Sequence, residues 1–103
     1  MTSSKSNLNG RVVFITGAAS GIGAATALEV VAMGGTPVLL DCDAEPLAQI
    51  ASCCGPETLH WVADVTDLQA MQEVVDKTIS KTGHIDIVFA NAGVAAFGPV
   101  AYI

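Results

Sequence analysis

The sequence is poor in charged residues, and the few that it has are mostly acidic. Charged side chains make up 14% of the 103 residues, and the formal net charge is −6. An average soluble domain carries roughly 25% charged residues. The four cations, Lys5, Arg11, Lys77 and Lys81, are scattered and form no basic patch. Proteins that bind nucleic acid or an anionic membrane need such a patch, so neither is an expected partner.

Cysteines are also few. Cys42, Cys53 and Cys54 are an odd number with two adjacent members, which argues against the disulfide framework of a secreted domain. A metal site built from Cys53, Cys54 and His60 would match no zinc spacing and would lack a fourth ligand, so small thiols at a helix end are the favoured interpretation. Residues 1–9 are polar, unlike a signal peptide, and no apolar run is long enough to span a membrane. We therefore expect a cytosolic protein.

Apolar residues, by contrast, make up 51% of the chain. A small domain with much surface cannot bury that fraction easily. The excess fits parallel strands covered on both faces, or a chain whose apolar surface meets something else. The length corresponds to at most one domain. We expect a single domain over residues 1–103, with residues 1–10 as a flexible lead-in.

Strand patterns and helix patterns alternate along the chain. Strands are predicted over residues 12–16, 36–40, 60–63 and 85–90. Helices are predicted over residues 21–33, between the N-cap Asp43 and Gly55, and between Thr66 and Gly83. This alternation predicts an α/β fold with a doubly wound parallel sheet of about four strands and three helices. The order 3-2-1-4 leaves the fourth strand as an apolar edge, so we expect the fold to be incomplete.

The third helix carries two further signals. Thr66 and Gln69 have the spacing of a capping box at its start. Its apolar residues recur at helical spacing and predict the face that packs on the sheet; they are Leu68, Met71, Val75 and Ile79.

A glycine-rich turn follows the first strand directly. Gly17 can adopt the positive φ that a tight exit from a strand requires. Because Gly21 and Gly23 have no side chain, the backbone can approach a pyrophosphate and the helix can pack close to the strand. Strand, glycine turn and helix together present backbone N–H groups to a phosphate. Such a turn alone is weak support, since many loops contain glycine only for their geometry.

Polar residues also stand at the ends of the other strands. Asp41 ends the second predicted strand, Asp64 follows the third and Asn91 follows the fourth. In a doubly wound sheet, ligands bind outside the carboxyl ends of the strands. Asp41 lies 18 residues beyond Gly23, near the spacing of the acid that hydrogen-bonds a ribose 2′-hydroxyl. The alternative interpretation is a solvated acid or a capping residue at a strand end.

The charge of Asp41 indicates which cofactor would bind. A carboxylate accepts hydrogen bonds from a free diol but repels a 2′-phosphate. At about 4 Å and an effective dielectric of about 20, the repulsion is about 4 kcal/mol per charge pair before screening. Neither the glycine turn nor the residues just after Asp41 contain an arginine or lysine to offset it. NAD is therefore favoured over NADP.

Three motifs together resemble the short-chain dehydrogenase/reductase family, whose fold is Rossmann-like. Residues 16–23 resemble its TGxxxGIG cofactor motif. Asn91, Ala92 and Gly93, preceded by Ala90, resemble its NNAG motif with the first Asn replaced by Ala. The pair Asp64 and Val65 resembles the acid and apolar residue that the family places near adenine. The similarity covers residues 10–94 in the right order and spacing.

The resemblance implies a role for each group of residues. The pyrophosphate would be cradled by Gly17, Ser20, Gly21, Ile22 and Gly23. The adenine ribose would be held by Asp41, and the adenine would be contacted by Asp64 and Val65. Along the nicotinamide ribose would lie Asn91, Ala92 and Gly93, which would also steady the central strands.

The catalytic residues of the family have no counterpart in the sequence. They are a Ser, a Tyr-x-x-x-Lys pair and an Asn in the second half of the fold, whereas Tyr102 is the only tyrosine here and one residue follows it. The expectation is therefore the cofactor-binding half of an NAD-dependent oxidoreductase that acts on an alcohol or ketone, inactive as 103 residues and homo-oligomeric when complete. The alternatives are a non-catalytic dinucleotide-binding module and, less well matched by the motifs, a methyltransferase.

Overall fold

Four strands and three helices alternate in the computed structural model, which describes residues 7–91. The elements in chain order are β1 (Val12–Thr16), α1 (Gly21–Ala32), β2 (Thr36–Asp41), α2 (Ala44–Cys54), β3 (Leu59–Val62), α3 (Leu68–Thr82) and β4 (Ile87–Ala90). Most boundaries lie within one residue of those predicted. The predicted site residues Ala92 and Gly93 lie outside the described residues, as does the apolar segment after them.

The sheet is fully parallel and has the order β3-β2-β1-β4. Thr16 at the end of β1 is in register with Leu40 on one side and Ala90 on the other, and Asp41 is in register with Val62. The carboxyl ends of all four strands therefore meet along one edge. The predicted α/β class, the doubly wound parallel sheet and the strand order are confirmed.

Alternate residues of the buried strands divide the core into two layers. Val13 and Ile15 of β1 pack with Leu39 beneath α1 and α2, where Ala27 and Leu47 are fully buried. The other face of the sheet packs against α3, and its core is formed by Val12, Phe14, Val38, Leu40 and Val74. Burial on both faces explains why β1 and β2 are nearly continuous apolar runs.

Strand β4 is less enclosed than β1 and β2. All four of its residues are only partly buried, and among residues 7–91 its single strand neighbour is β1. An apolar groove of about 350 Å³ separates β4 from α3, with Val75 and Ile79 on the helix side and Val88 on the strand side. The prediction that the fourth strand forms an apolar edge is thus confirmed for this part of the chain.

The start of α3 differs from the predicted capping box. The N-cap is Asp67, whose carboxylate accepts a hydrogen bond of 3.1 Å from the N–H of Ala70. Thr66 instead donates its N–H and its hydroxyl to Asp64. The local turn at Asp64 therefore takes the donor groups of Thr66, and the acid one residue later caps the helix.

The buried face of α3 also differs from the predicted stripe. Val74 and Thr78 are the buried residues of the helix, whereas Leu68 is 80% exposed and Ile79 is 43% exposed. Thr78 is buried despite its hydroxyl because it accepts a 3.0 Å hydrogen bond from the indole N–H of Trp61. Three residues of the predicted stripe border the groove beside β4 and do not form the centre of the contact: Met71, Val75 and Ile79.

The amino end of the sheet contains two further differences. Leu8 donates its N–H to the Met33 carbonyl at 3.1 Å and packs on the α1 and α2 layer, so this part of the predicted flexible lead-in is attached to the domain. Strand β4 starts two residues later than predicted. There, the Asp86 carboxylate accepts a 2.7 Å hydrogen bond from the N–H of Val12.

The helix α2 begins after Asp43, as predicted, but the side chain of that residue makes no cap hydrogen bond. Among residues 7–91, no helix combines the length and apolar character that crossing a bilayer requires.

Candidate dinucleotide site

The glycine turn between β1 and α1 forms the centre of the carboxyl edge. Gly17 has a φ of +66°, as the sequence predicts for a tight exit from the strand. Its carbonyl accepts hydrogen bonds from the N–H and the hydroxyl of Ser20, at 3.3 and 3.1 Å. The turn is therefore closed on itself before α1 begins.

The first turn of α1 presents free donor groups. Its N-cap residue, Ser20, makes no side-chain cap hydrogen bond, and no acidic residue stands in the first turn. The helical hydrogen bonds begin with the N–H of Ala24, which bonds the Ser20 carbonyl at 2.7 Å. The N–H groups of Gly21, Ile22 and Gly23 have no acceptor within the helix, because an α-helix satisfies none of its first donors. Together with the helix dipole, they favour an anion at this end.

Gly21 and Gly23 serve different purposes. A Cβ on Gly23 would lie 2.1 Å from the Gly17 carbonyl oxygen, so only glycine lets α1 approach the turn this closely. A Cβ on Gly21 would meet nothing within 4 Å, since this residue faces open space. The sequence groups the two glycines in one motif, whereas the structure assigns close packing to Gly23 and open space to Gly21.

Asp41 joins the end of β2 to the glycine turn. Its Oδ2 accepts a 3.0 Å hydrogen bond from the N–H of Ala19, and its Oδ1 accepts one of 3.1 Å from the N–H of Asp43. The N–H of Ala18 also bonds the Leu40 carbonyl at 3.1 Å. The half-buried carboxylate is thus fixed by two backbone donors, and each oxygen retains capacity to accept a further hydrogen bond.

Beyond Asp41 is a cleft of about 270 Å³. Its lining includes Gly17, Asp41, Cys42, Asp64 and Val65. Four of the residues predicted for binding a cofactor therefore surround one space: Gly17, Asp41, Asp64 and Val65. The wall contributed by Cys42 was not anticipated from the sequence, which indicates only that this residue follows the strand.

Asp64 is held by its neighbour two residues later. Its Oδ1 accepts from the N–H of Thr66 at 2.9 Å and from the hydroxyl of Thr66 at 2.7 Å. These bonds to the backbone and the hydroxyl lower the pKa of the Asp64 carboxyl and outweigh its slight desolvation. The exposed carboxylate is therefore ionised at neutral pH. The Asp-x-Thr spacing is the signal that could have revealed this turn in place of the capping box.

Asn91 reaches across from the end of β4. Its N–H bonds the hydroxyl of the buried Thr16 at 3.0 Å, which ties the ends of β4 and β1 together. Its side-chain Nδ2 donates to the Gly17 carbonyl at 3.2 Å and lies 3.5 Å from Ser20 Oγ, at the outer limit of a hydrogen bond. The sequence predicts that Asn91 steadies the strands, but it contains no signal for the contact with the glycine turn.

The charges of this edge are negative. Asp41 and Asp64 line the cleft, and no lysine or arginine does. Of the cations within residues 7–91, Arg11 directly precedes the amino end of β1, and the ammonium of Lys77 lies 5.6 Å from the ring centroid of Trp61. The third cation, Lys81, is in the last turn of α3.

The side chains of this edge are not arranged as a metal site in the part of the chain that the structure describes. Across residues 7–91, no cluster of three His, Cys, Asp or Glu side chains could hold a metal ion. Cys42, Cys53 and Cys54 are all free thiols.

Sheet order, glycine turn, open helix N-terminus and the acid at the end of β2 define a dinucleotide-binding α/β domain. Residues 11–103 match the family described as short chain dehydrogenase. The chain therefore belongs to the short-chain dehydrogenase family of oxidoreductases.

Several members of this family are similar to the chain. It is 43% identical over 93 residues to an 11-beta-hydroxysteroid dehydrogenase-like protein of Arabidopsis thaliana, covering 86% of this chain and 27% of the relative. It is 40% identical over 90 residues to the 3-oxoacyl-[acyl-carrier-protein] reductase of Thermotoga maritima, covering 84% of this chain and 37% of the relative. A crystal structure of NAD⁺-bound xylitol dehydrogenase superposes with a TM-score of 0.80 and 38% identity, covering 84% of this chain and 35% of that one. The chain thus spans about a third of the length of these relatives.

Proposed function

We propose that this chain is the cofactor-binding part of an NAD-dependent oxidoreductase that transfers a hydride between nicotinamide and the carbon of an alcohol or ketone. The observation that carries the proposal is the anchoring of Asp41 by the N–H of Ala19, which holds a carboxylate beside the open N-terminus of α1. Support comes from the family and from the similarity to a dehydrogenase crystallised with NAD⁺.

The pyrophosphate binds at the glycine turn and the start of α1 in this proposal. The unpaired N–H groups of the first helical turn and the helix dipole attract its negative charge. The exposed side of Gly21 leaves space for it, while Gly23 keeps the helix close to the strand. Ser20 and Ile22 also belong to the proposed pyrophosphate site.

The adenosine end lies in the cleft beyond Asp41. The carboxylate of Asp41 accepts hydrogen bonds from the ribose diol, because each of its oxygens accepts a single hydrogen bond from the backbone of the described residues. The ionised Asp64 carboxylate accepts from the exocyclic amino group of adenine, and Val65 provides an apolar contact to the ring. By the family resemblance, Asn91, Ala92 and Gly93 would contact the nicotinamide ribose.

The preference for NAD over NADP follows from charge. A 2′-phosphate would approach Asp41 with no lysine or arginine in the lining of the cleft to compensate. The repulsion is about 4 kcal/mol at about 4 Å with an effective dielectric of about 20, before screening by salt. Even a third of that energy corresponds to about a tenfold preference.

Bound NAD supplies the acceptor for the hydride that leaves the alcohol carbon. The hydroxyl proton must leave at the same time to a base with a suitable pKa. The family uses a Ser and a Tyr-x-x-x-Lys pair for this step, and no such segment occurs in residues 1–103. We therefore propose that these residues bind and orient the cofactor and that the 103-residue chain alone is inactive. A small-molecule alcohol or ketone as substrate, a homo-oligomeric assembly and a cytosolic location complete the proposal.

The cofactor preference is tested by calorimetric titration of the protein at its native length with NAD, NADP and S-adenosylmethionine. We expect NAD to bind at least about tenfold more tightly than NADP, and S-adenosylmethionine to show no binding. Asp41→Ala should weaken NAD and reduce the discrimination, and Asp43→Ala is the matched control at the same strand end. Equal affinity for NAD and NADP in the unsubstituted protein would contradict the assignment of Asp41.

A non-catalytic dinucleotide-binding module is the second candidate, since the residues that we assign bind and orient a cofactor and none of them is assigned as a general base. The intact mass of the native polypeptide separates the two. A mass well above 10.5 kDa, with alcohol-dependent NADH formation, supports the oxidoreductase. A mass of 10.5 kDa with NAD binding and no turnover supports the module.

A further inference from the structure

The Gly17 carbonyl accepts an unusual number of hydrogen bonds. The N–H of Ser20 lies at 3.3 Å, the hydroxyl of Ser20 at 3.1 Å and the amide Nδ2 of Asn91 at 3.2 Å. A serine at an N-cap normally turns its oxygen forward to accept from the second or third N–H of its helix. Here the hydroxyl points back to Gly17, and the helix α1 has no side-chain cap.

The chemistry of these groups fixes the orientation of the Asn91 side chain. A carbonyl oxygen can only accept, so the amide nitrogen must be the atom that faces Gly17. The Ser20 hydroxyl gives its proton to the same carbonyl, which leaves its lone pairs for the Asn91 amide at 3.5 Å. One amide group therefore contacts both residues that close the turn. Its own backbone is anchored on the buried Thr16 hydroxyl.

We infer that Asn91 is a positioning residue for the pyrophosphate. By holding the Gly17 carbonyl and the Ser20 hydroxyl together, it keeps that hydroxyl away from the first turn of α1. The N–H groups of this turn then stay free for phosphate oxygens, instead of being satisfied by their own N-cap. Asn91 thus acts on the pyrophosphate through the turn, in addition to any contact with the nicotinamide ribose. This inference rests on the proposed function.

Three ligands distinguish an action of Asn91 through the glycine turn from a direct contact with the nicotinamide ribose. Adenosine fills only the cleft at Asp41 and Asp64, ADP adds the pyrophosphate, and NAD adds the second ribose and nicotinamide. For Asn91→Ala in the protein at its native length, we expect adenosine affinity to stay within about twofold. The affinities for ADP and NAD should both fall by about tenfold, which is the effect of about one lost hydrogen bond.

A double-mutant cycle tests whether Asn91 acts through Ser20. If it holds the serine hydroxyl back, its effect on ADP should be smaller when that hydroxyl is already absent. In the Ser20→Ala background, we therefore expect Asn91→Ala to change ADP affinity by less than about threefold. A purely local loss of strand packing would give the same factor in both backgrounds.

Asp86→Ala is the matched control because Asp86 ties the opposite end of β1, through Val12. It should leave the ratio of ADP to adenosine affinity unchanged. The emission of Trp61, the single tryptophan, reports whether each variant is folded, since its ring lies in the contact between β3 and α3.

Two results would overturn the inference while leaving the proposed function intact. One is a loss of NAD affinity without a loss of ADP affinity, which would assign Asn91 to the nicotinamide ribose alone. The other is an equal loss for all three ligands, which would indicate a general structural role. If the unsubstituted protein bound neither NAD nor ADP, the proposed function would fail and this inference with it.

Discussion

The two ends of the β1 and β4 pair are each joined by one polar side chain, with opposite consequences. At the amino end, Asp86 Oδ2 accepts from the N–H of Val12 and pairs with His84 Nδ1, both at 2.7 Å. At the carboxyl end, Asn91 bonds Thr16 and the Gly17 carbonyl. The bonds of Asp86 satisfy polar groups of the protein itself at the amino end. Those of Asn91 fix a turn beside donor groups that remain available to a ligand.

The cavities at the two ends of the sheet also differ in the chemistry of their linings. The groove at the amino end, about 320 Å³ and bordered by Pro37, Cys54 and Glu57, is larger than the cleft of about 270 Å³ at Asp41. It lies at the end of α2 and not at the start of a helix, so no helix N-terminus opens onto it. The Cys54 thiol there has a pKa raised by burial and by the neighbouring Cys53, which makes it a poor nucleophile. The larger cavity is therefore the weaker candidate for a site, because its lining offers less chemistry.

The largest expected effect comes from a substitution of Gly23, which packs against the glycine turn at the carboxyl end of the sheet. For Gly23→Ala, the new Cβ would collide with the Gly17 carbonyl, so α1 must move away from the turn. We expect the change to lower stability by about 2–3 kcal/mol and to abolish NAD binding. Thermal unfolding and NAD titration measure the two effects.

Gly21→Ala is the matched control for Gly23→Ala, since its Cβ would meet nothing within 4 Å. Alanine is a better helix former than glycine, so stability should rise by about 0.5–1 kcal/mol. Equal destabilisation by the two substitutions would contradict the assignment of close packing to Gly23 alone.

A smaller effect is expected at the start of α3, which also lies at the carboxyl end. Asp67→Ala removes the bond to the Ala70 N–H and should destabilise the protein by about 1 kcal/mol. Thr66→Ala should cost less stability and should instead change binding of adenosine, because it removes the hydroxyl bond to Asp64 and leaves only the backbone N–H bond. Urea denaturation and adenosine titration of both variants distinguish them. A larger stability loss for Thr66→Ala than for Asp67→Ala would contradict the assignment of Asp67 as the N-cap and would support the predicted capping box.

The fold could be predicted because its signals are local and repeated. Two buried apolar runs form β1 and β2, and glycines with positive φ, such as Gly34 and Gly83, stand where helices end. The buried face of α3 could not be predicted. Helical periodicity reveals an apolar stripe, but both the sheet and the groove beside β4 receive apolar residues from this helix. Thr78 is buried only because the distant Trp61 indole bonds its hydroxyl.

The positions of the site residues could be predicted better than their contacts. Asp41, Asp64 and Asn91 follow strands, and the carboxyl ends of parallel strands must meet at one edge. Their hydrogen bonds depend on the path of the backbone through each turn, which no periodicity describes. The bond from Ala19 to Asp41 and that from Asn91 to Gly17 both cross between elements far apart in the chain.

The smallest expected effect is the loss of stability at low pH that arises from Asp86 at the amino end and Asp64 at the carboxyl end. It is small because both carboxylates lie near solvent. Bonding to the Val12 N–H, with further help from His84 and Arg11, lowers the pKa of Asp86, and the bonds from Thr66 lower that of Asp64. A carboxyl whose folded pKa lies below its unfolded value stabilises the protein above the unfolded value of about 3.9. This stabilisation is lost as the pH falls through the folded pKa. Urea midpoints measured from pH 7 to about pH 2.5 should therefore decline, and Asp86→Ala should flatten the decline.

Asp64→Ala should flatten the same decline less, since the bonds of Asp64 stay within one turn, whereas the bond of Asp86 joins segments 74 residues apart. It should also reduce the acid dependence of adenosine binding, which Asp86→Ala should leave unchanged. If Asp86→Ala altered adenosine binding and Asp64→Ala did not, the division between a closed amino end and a ligand-binding carboxyl end would be wrong. If each substitution affects only its own end, the polar side chains that follow the strands are specialised: one closes the sheet and the others prepare it for a ligand.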